Sequence, residues 1–244
     1  MKVVTIASIG ELNAFTSRRG FLRLMGAGGA LVLLPGLFSA CEDKSNTGGI
    51  AGPGSGSALT IDFANGDLAI LQFAYMLEQL EAAFYSRVVD SFVGSNITAI
   101  EQEVLVDIRN HEVLHSRTLQ QMLGDNGFTV VPIFGDTNFS SRVSVLASAS
   151  DIENLGIAAY NGAAQYLTGV NNLLLAAKIV SVEGRHAAAI GDLIAPLNTN
   201  FAPNNFDNAF KPTKVAFATQ PFMENRLEFE STPLVFVQGP NGNG

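Results

Sequence analysis

Cysteine, tryptophan and histidine are scarce in this chain. Its 244 residues include one cysteine, no tryptophan and three histidines. The single cysteine, Cys41, cannot form a disulfide within the chain, so the fold must be stabilised by other means. Positive charge is also scarce, because the net charge is −8 and no basic run follows Arg23. Nucleic-acid binding needs a cluster of Lys and Arg that neutralises phosphates, so the composition excludes a nucleic-acid partner.

The first 40 residues have the composition of an export signal. Arg18 and Arg19 precede Phe21 and Leu22, and an uncharged run rich in Gly and Ala covers residues 24–40. A basic region followed by a modest apolar region is typical of a signal peptide, and the paired arginines resemble the twin-arginine motif. We therefore expect a twin-arginine signal peptide, and export to the periplasm or cell envelope.

Cys41 directly follows this signal, and residues 37–40 before it resemble a lipobox. Phe38 departs from that pattern, because Leu, Val or Ile is usual at its position. Two outcomes therefore remain open, lipidation of Cys41 and plain cleavage nearby. Residues 41–62 are rich in Gly and Ser and are expected to form a linker. With Cys41 lipidated, this linker would tether the protein to a membrane.

Four long segments carry apolar residues at helical spacing. They cover residues 67–90, 96–123, 141–167 and 171–193. The fourth is apolar nearly all round, which is usual for a helix buried inside a bundle. Strand signals are confined to short stretches near 130–134 and 233–237.

These patterns predict an all-α fold with two parts after the linker. Residues 63–196 are expected to form a four-helix bundle. Residues 197–244 lack clean periodicity and are rich in Asn, Pro and Phe. We expect them to form an irregular extension that wraps the bundle, with one short helix near 212–219.

A short motif occurs twice, and each copy precedes a Glu-x-x-His. The segments 78–85 and 153–160 share Glu, Leu, Ala and Tyr at equal offsets. The sequence Glu-Val-Leu-His at 112–115 follows the first copy, and Glu-Gly-Arg-His at 183–186 follows the second. Residues three apart share one face of a helix. The chain is therefore a duplication of a helix pair, with one lone Glu and one Glu-x-x-His in each half.

The charge of these groups needs compensation, because the apolar stripes of their helices run straight through the Glu-x-x-His motifs. An unpaired buried carboxylate costs several kcal/mol. Four of them would exceed the ~5–15 kcal/mol that stabilises a typical domain. Two divalent cations would balance four glutamates, and two neutral imidazoles would complete the ligand set. Oxygen and imidazole ligands suit iron or manganese.

The chain from about residue 65 to about residue 225 resembles the exported ferritin-like family that includes plant desiccation-related proteins. The segments that carry this resemblance are 77–85, 111–115, 153–160, 183–186 and 206–222. It implies a ferritin-like four-helix bundle, in which two helices each supply a Glu and two supply a Glu-x-x-His. The metal ligands implied by this resemblance are Glu78, Glu112, His115, Glu153, Glu183 and His186.

Glu81 is an alternative to one of these ligands. It continues the apolar stripe of the first helix and could replace Glu78. In the second copy of the motif Gly156 occupies the place equivalent to Glu81, which favours Glu78. Glu81 would then lie behind the ligands or relay protons.

Three further side chains belong beside the predicted site. Tyr85 and Tyr160 are repeated with the motif. They either hydrogen-bond the ligand carboxylates or pack as ordinary core residues. His111 is expected at the helix surface or behind a ligand.

Two functions follow from this pattern. The first is a redox protein with a carboxylate-bridged two-metal site, which oxidises Fe(II) or removes peroxide in stress defence. The alternative is a non-catalytic binding or stress-protective protein of the cell envelope, with a structural or degenerate metal site. The two alternatives leave open whether the protein is an enzyme. The expected partners are metal ions, a membrane through lipidated Cys41, and a second copy in a homodimer.

Overall fold

The computed structural model describes residues 57–231, 235–237 and 239. The expected signal peptide (1–40), Cys41 and the linker up to residue 56 lie outside the described residues. Among the residues that are described, no helix combines the length and apolarity needed to cross a membrane.

Helices dominate the described part of the chain. The helices are α1 (Asp67–Asp90), α2 (Ala99–Leu123), α3 (Arg142–Ala163), α4 (Val170–Ile194) and α5 (Pro212–Thr219), and the strands are β1 (Ala58–Asp62) and β2 (Arg226–Glu230). Helix α1 packs along α2, and α3 packs along α4. Further contacts join α1 to α3 and α2 to α4. The predicted all-α bundle of four long helices is confirmed.

Side-chain hydrogen bonds determine where α2 and α4 begin. Thr98 and Glu101 form a capping box, in which Thr98 N donates to Glu101 Oε2 at 2.8 Å. Helix α2 therefore begins at Ala99 rather than at the predicted residue 96. Asp67 accepts hydrogen bonds from the backbone N–H groups of Thr168 and Gly169, both at 2.8 Å. This carboxylate satisfies free donors at the N-terminus of α4 and ties that end to α1.

The last residues of the expected linker form a strand instead. β1 pairs with β2 in parallel, with Ala58 opposite Arg226 at one end and Asp62 opposite Glu230 at the other. Ile61 is fully buried in this pairing. The Gly- and Ser-rich composition stops before the strand, so the linker was predicted to extend too far.

The strand signal near 130–134 yields only an isolated bridge, between Pro132 and Met223. Proline has no N–H to extend a ladder. Of the second stretch, residues 235–237 are described and lie in no strand.

Two apolar clusters occupy successive levels of the bundle. On α2, Ile108 belongs to the cluster that includes Phe84 and Leu146, whereas Leu119 belongs to the one that includes Tyr75 and Leu123. On α4, Ile190 and Ile179 divide in the same way. Both Glu-x-x-His motifs lie between these levels. The fold therefore places them in a polar layer bounded on both sides by apolar packing.

The C-terminal extension docks on the outer face of α3. The backbone N–H of Phe210 donates to Ala158 O at 2.8 Å. Gly162 permits this approach, because a Cβ at that position would overlap the carbonyl of Phe210. A side chain at Gly191 of α4 would likewise overlap the backbone of Asn200.

Candidate metal centre

The four long helices bring all six predicted ligands together. They are Glu78 on α1, Glu112 and His115 on α2, Glu153 on α3, and Glu183 and His186 on α4. The side chains of the four glutamates have no solvent exposure, and those of His186 and His115 are 5% and 15% exposed. We call these six residues the carboxylate–histidine cluster.

Two overlapping groups make up the cluster. In each group the ligand atoms lie within 4.8 Å of one another. The first group is Glu78, Glu112, His115 and Glu183, and the second group is Glu112, Glu153, Glu183 and His186. Glu112 and Glu183 belong to both groups. The arrangement thus has two shared carboxylates, and each group adds one glutamate and one histidine of its own.

Each shared carboxylate sends one oxygen toward each histidine. His115 Nδ1 lies 3.3 Å from Glu112 Oε2 and 3.0 Å from Glu183 Oε1. His186 Nδ1 lies 2.6 Å from Glu112 Oε1 and 3.6 Å from Glu183 Oε2. Each shared carboxylate therefore presents a separate oxygen to the histidine of each group.

Several of these buried atoms have no hydrogen-bond partner, although other polar atoms are close. The unpaired atoms include Glu78 Oε2, Glu112 Oε1, Glu153 Oε2, both oxygens of Glu183, and His186 Nδ1. Glu112 Oε1 and His186 Nδ1 approach to 2.6 Å without hydrogen-bond geometry. Buried polar atoms are normally paired, so such a concentration needs an explanation. A donor set of carboxylate oxygens and imidazole nitrogens with lone pairs to spare fits two divalent cations.

Burial and the neighbouring charges shift the pKa values of residues in the cluster. Burial raises the pKa of Glu78 well above its usual range and raises the pKa of Glu153 to about 8. Burial opposes protonation of His115 and His186, but the surrounding carboxylates outweigh it and raise the pKa of both imidazoles to about 12. Protons on the imidazoles thus balance part of the negative charge, and metal ions that bind there must displace them.

The two repeated tyrosines hydrogen-bond the cluster crosswise. Tyr85 of α1 donates to Glu153 Oε1 on α3, and Tyr160 of α3 donates to Glu78 Oε1 on α1, both at 2.5 Å. Burial and the neighbouring carboxylates raise the pKa of both phenols well above the usual range, so both hydroxyls stay protonated. Each tyrosine holds the carboxylate that is unique to one group.

Glu81 lies beside the cluster but outside both groups. It is 2% exposed, its Oε2 has no partner, and burial raises its pKa well above the usual range. Its Oε1 fills the space that the missing side chain of Gly156 leaves open. The geometry therefore favours Glu78 as the ligand from α1 and leaves Glu81 one turn away.

His111 lies at the helix surface and behind His186, as expected from the sequence, but the sequence does not reveal which residue it contacts. Its Nδ1 lies 2.9 Å from His186 Nε2, in hydrogen-bond geometry. The spacing of four residues from His115 places both histidines on one side of α2, which is a usable signal. The partner of His111 is nevertheless on α4, and only the packing of α2 against α4 identifies it.

Comparison with known proteins agrees with the fold. No curated protein matches the chain. The family model of the ferritin-like domain matches residues 66–196, which include the four long helices and all six members of the cluster. Because this match covers more than half of the sequence, the protein belongs to the ferritin-like domain family.

Proposed function

We propose that this protein is an exported redox protein that binds two divalent metal ions, iron or manganese, and oxidises Fe(II) or removes peroxide. One observation carries the proposal. Two four-residue groups of buried ligand atoms share Glu112 and Glu183, and several of those atoms have no other partner. Two dications would neutralise the four glutamates of the cluster and occupy the unpaired atoms.

The residues that would hold each ion follow from the two groups. Glu78 and His115 would bind one ion, Glu153 and His186 would bind the other, and the shared carboxylates would bind both. Two bound iron ions would supply one-electron redox steps and open positions for dioxygen or peroxide. The protein's own contribution is to hold these ligands in place and to exclude bulk water.

The tyrosines and the apolar clusters make that contribution. Tyr85 and Tyr160 orient the carboxylates of Glu153 and Glu78 by short hydrogen bonds. A narrow apolar cavity lined by Leu77, Leu119, Tyr160 and Ile179 adjoins the cluster at its Tyr160 end. Such a cavity suits a small apolar molecule better than water.

The proposed site of action is the cell envelope. The paired arginines at 18 and 19 and the apolar run after them support export by the twin-arginine route. That route carries folded proteins, so the metal ions could be loaded before export. We further propose a lipid tether at Cys41, which a mass measurement of the exported protein would reveal as an added diacylglyceryl group or exclude.

Metal-linked stability tests the centre directly. At free metal 100 times above Kd, each ion stabilises the folded state by about 2.7 kcal/mol. In a domain of this size 1 kcal/mol raises Tm by about 2–4 °C, so two ions should raise Tm by roughly 10–20 °C. The control is the double variant Glu112→Gln, Glu183→Gln, which lacks both shared carboxylates. If metal-free wild type binds neither Fe(II) nor Mn²⁺ and its Tm does not rise when either ion is added, the proposed centre does not exist.

Turnover separates the redox function from the alternative. Protein matured in its own host is assayed for its metal content, for oxidation of Fe(II) by dioxygen, and for consumption of hydrogen peroxide. Two ions per chain with either activity support the proposal. Two ions per chain with neither activity would leave the non-catalytic envelope protein as the better description.

A further inference from the structure

The exposed residue His111 contacts His186 of the carboxylate–histidine cluster from outside the cluster. The ring planes of His111 and His186 are 9° apart, and the centroids are 5.2 Å apart. With nearly parallel planes and 2.9 Å between His111 Nδ1 and His186 Nε2, the rings meet through their nitrogen atoms. The other nitrogen of His186, Nδ1, faces Glu112. His186 is therefore hydrogen-bonded at Nε2 and only approached by a carboxylate at Nδ1, whereas the ring of His111 reaches solvent.

The donor and acceptor roles of the ring nitrogens determine where the protons of His111 and His186 lie. A neutral imidazole has one donor and one acceptor nitrogen. If Nδ1 of His186 offers its lone pair to a metal ion, Nε2 must carry the proton and donate it to Nδ1 of His111. His111 then keeps its own proton on Nε2. The contact thus selects the tautomer of His186 that can bind metal through Nδ1, and it holds the ring orientation.

The two halves of the duplicated bundle differ at the position of His111. His111 precedes Glu112 in the first half, and the residue that precedes Glu183 in the second half is Val182. Valine offers no hydrogen-bond acceptor in its side chain. A partner equivalent to His111 is therefore absent at the corresponding position of the other half, and the two histidines of the cluster are not equivalent.

We propose that His111 is a positioning residue for the metal ion of the second group, which it serves by accepting the hydrogen bond from His186. This inference rests on the proposed function, because it presupposes that the cluster binds metal. It adds that the two ion positions differ in affinity through a residue that touches neither ion. Loss of such an outer hydrogen bond typically lowers metal affinity about 10–100-fold.

Two substitutions separate the hydrogen bond from the bulk of the side chain. His111→Phe keeps a ring but removes the acceptor. His111→Asn keeps an acceptor, because its Oδ1 is attached to Cγ as Nδ1 is in histidine. The chain isolated from its own host is stripped of metal and titrated with Mn²⁺, by calorimetry and by the electron paramagnetic resonance of free Mn²⁺. The Tm of each metal-free variant is measured in parallel.

The expected result is that His111→Phe binds one of the two Mn²⁺ ions about 10–100-fold more weakly, while the other ion is unaffected. His111→Asn should bind both ions nearly as tightly as wild type. His111→Phe leaves Nε2 of the buried His186 without a partner, so its metal-free Tm should fall below that of wild type, whereas the metal-free Tm of His111→Asn should be similar to wild type.

Two results would overturn the positioning role while the metal centre stands. In one, wild type binds two ions and His111→Phe binds them equally well. In the other, His111→Asn is as weak as His111→Phe. If wild type binds neither Mn²⁺ nor Fe(II), the proposed metal centre is refuted, and the positioning role of His111 is refuted with it.

Discussion

Replacing Tyr85 by Phe removes one hydroxyl and leaves the ring, so it isolates the hydrogen bond to Glu153. That bond is 2.5 Å long and lies in a fully buried position. Without it, Glu153 Oε1 loses its donor where water does not replace it. A buried acceptor left without a partner costs about 1–3 kcal/mol. We therefore expect Tyr85→Phe to lower the free energy of unfolding of the metal-free protein by about 2 kcal/mol, or Tm by roughly 4–8 °C.

The matched control is Tyr75→Phe, because Tyr75 lies on the same helix and packs against Phe128 instead of the cluster. Its effect should stay within about 0.5 kcal/mol. Chemical denaturation with chelator present gives the stability of all variants without a contribution from metal. Tyr160→Phe removes the corresponding bond to Glu78 and should behave like Tyr85→Phe.

Tyr85→Phe and Tyr160→Phe should both be more destabilising than Tyr75→Phe, and equal effects would contradict a stabilising role of their hydroxyl groups. The crosswise bonds would then contribute nothing to the folded state beyond ring packing. A metal titration of the same variants adds a second measurement, because a loosened carboxylate should weaken binding of an ion about 10–100-fold.

Three further predictions concern the packing around the cluster and the ends of its helices. Gly156→Ala places a Cβ on Glu81 Oε1 and should lower the free energy of unfolding by about 1–3 kcal/mol. Adding Glu81→Ala removes the overlap, so the double variant should be more stable than the sum of the two single effects predicts. Additive effects in denaturation experiments would refute the steric explanation. Gly162→Ala overlaps the backbone of Phe210 and should make residues 199–211 sensitive to limited proteolysis. Gly184→Ala meets open space and should raise stability by about 0.5–1 kcal/mol. Equal effects of the two substitutions would contradict the close approach of Phe210 to Gly162. Hydrogen bonds from the Thr168 backbone, Asn172 and Gly169 lower the pKa of Asp67 from 3.8 to about 2, so the stabilisation by this carboxylate is present above pH 4 and is lost as pH falls toward 2. Asp67→Ala should lower the free energy of unfolding by about 1 kcal/mol at pH 7 and make stability depend less on pH between 4 and 2. An unchanged pH dependence in this range would show that Asp67 is not the group that titrates.

The duplication made the bundle and the cluster predictable from the sequence. Glu78 and Glu153 occupy the same place in two copies of one motif, and each copy precedes a Glu-x-x-His. A repeated pattern of this kind constrains residues that are far apart in the chain, because both halves must fold in the same way. Helical periodicity placed the long helices well for the same reason, since their apolar faces repeat over several turns.

The contacts of residues without a counterpart in the other half were not predictable, although a position behind the ligands was among those expected for Glu81 and His111. The contact of Glu81 with Gly156 and the bond of His111 to His186 occur where the two halves differ. The parallel pairing of β1 with β2 joins opposite ends of the described chain, and no local signal reports it. Ile100 and Met122 also look like core residues by spacing, yet they are 65% and 45% exposed. Spacing identifies a helix face, but the packing of its neighbours decides which part of that face is covered.

The energetic cost of the cluster favours a use beyond stability for the metal ions that we propose it binds. Replacing buried ionic groups by well-packed apolar residues often leaves the free energy of unfolding unchanged or raises it by about 1–4 kcal/mol. The bundle already has apolar clusters on either side of the polar layer, around Phe84 and around Leu119. A continuous apolar core through positions 112 and 183 would hold the same four helices together without any ion. Four buried glutamates, with a fifth at position 81, are therefore a costly solution if stability were their only role. The proposed chemistry at bound ions would explain that cost, and the turnover assay is the measurement that tests it.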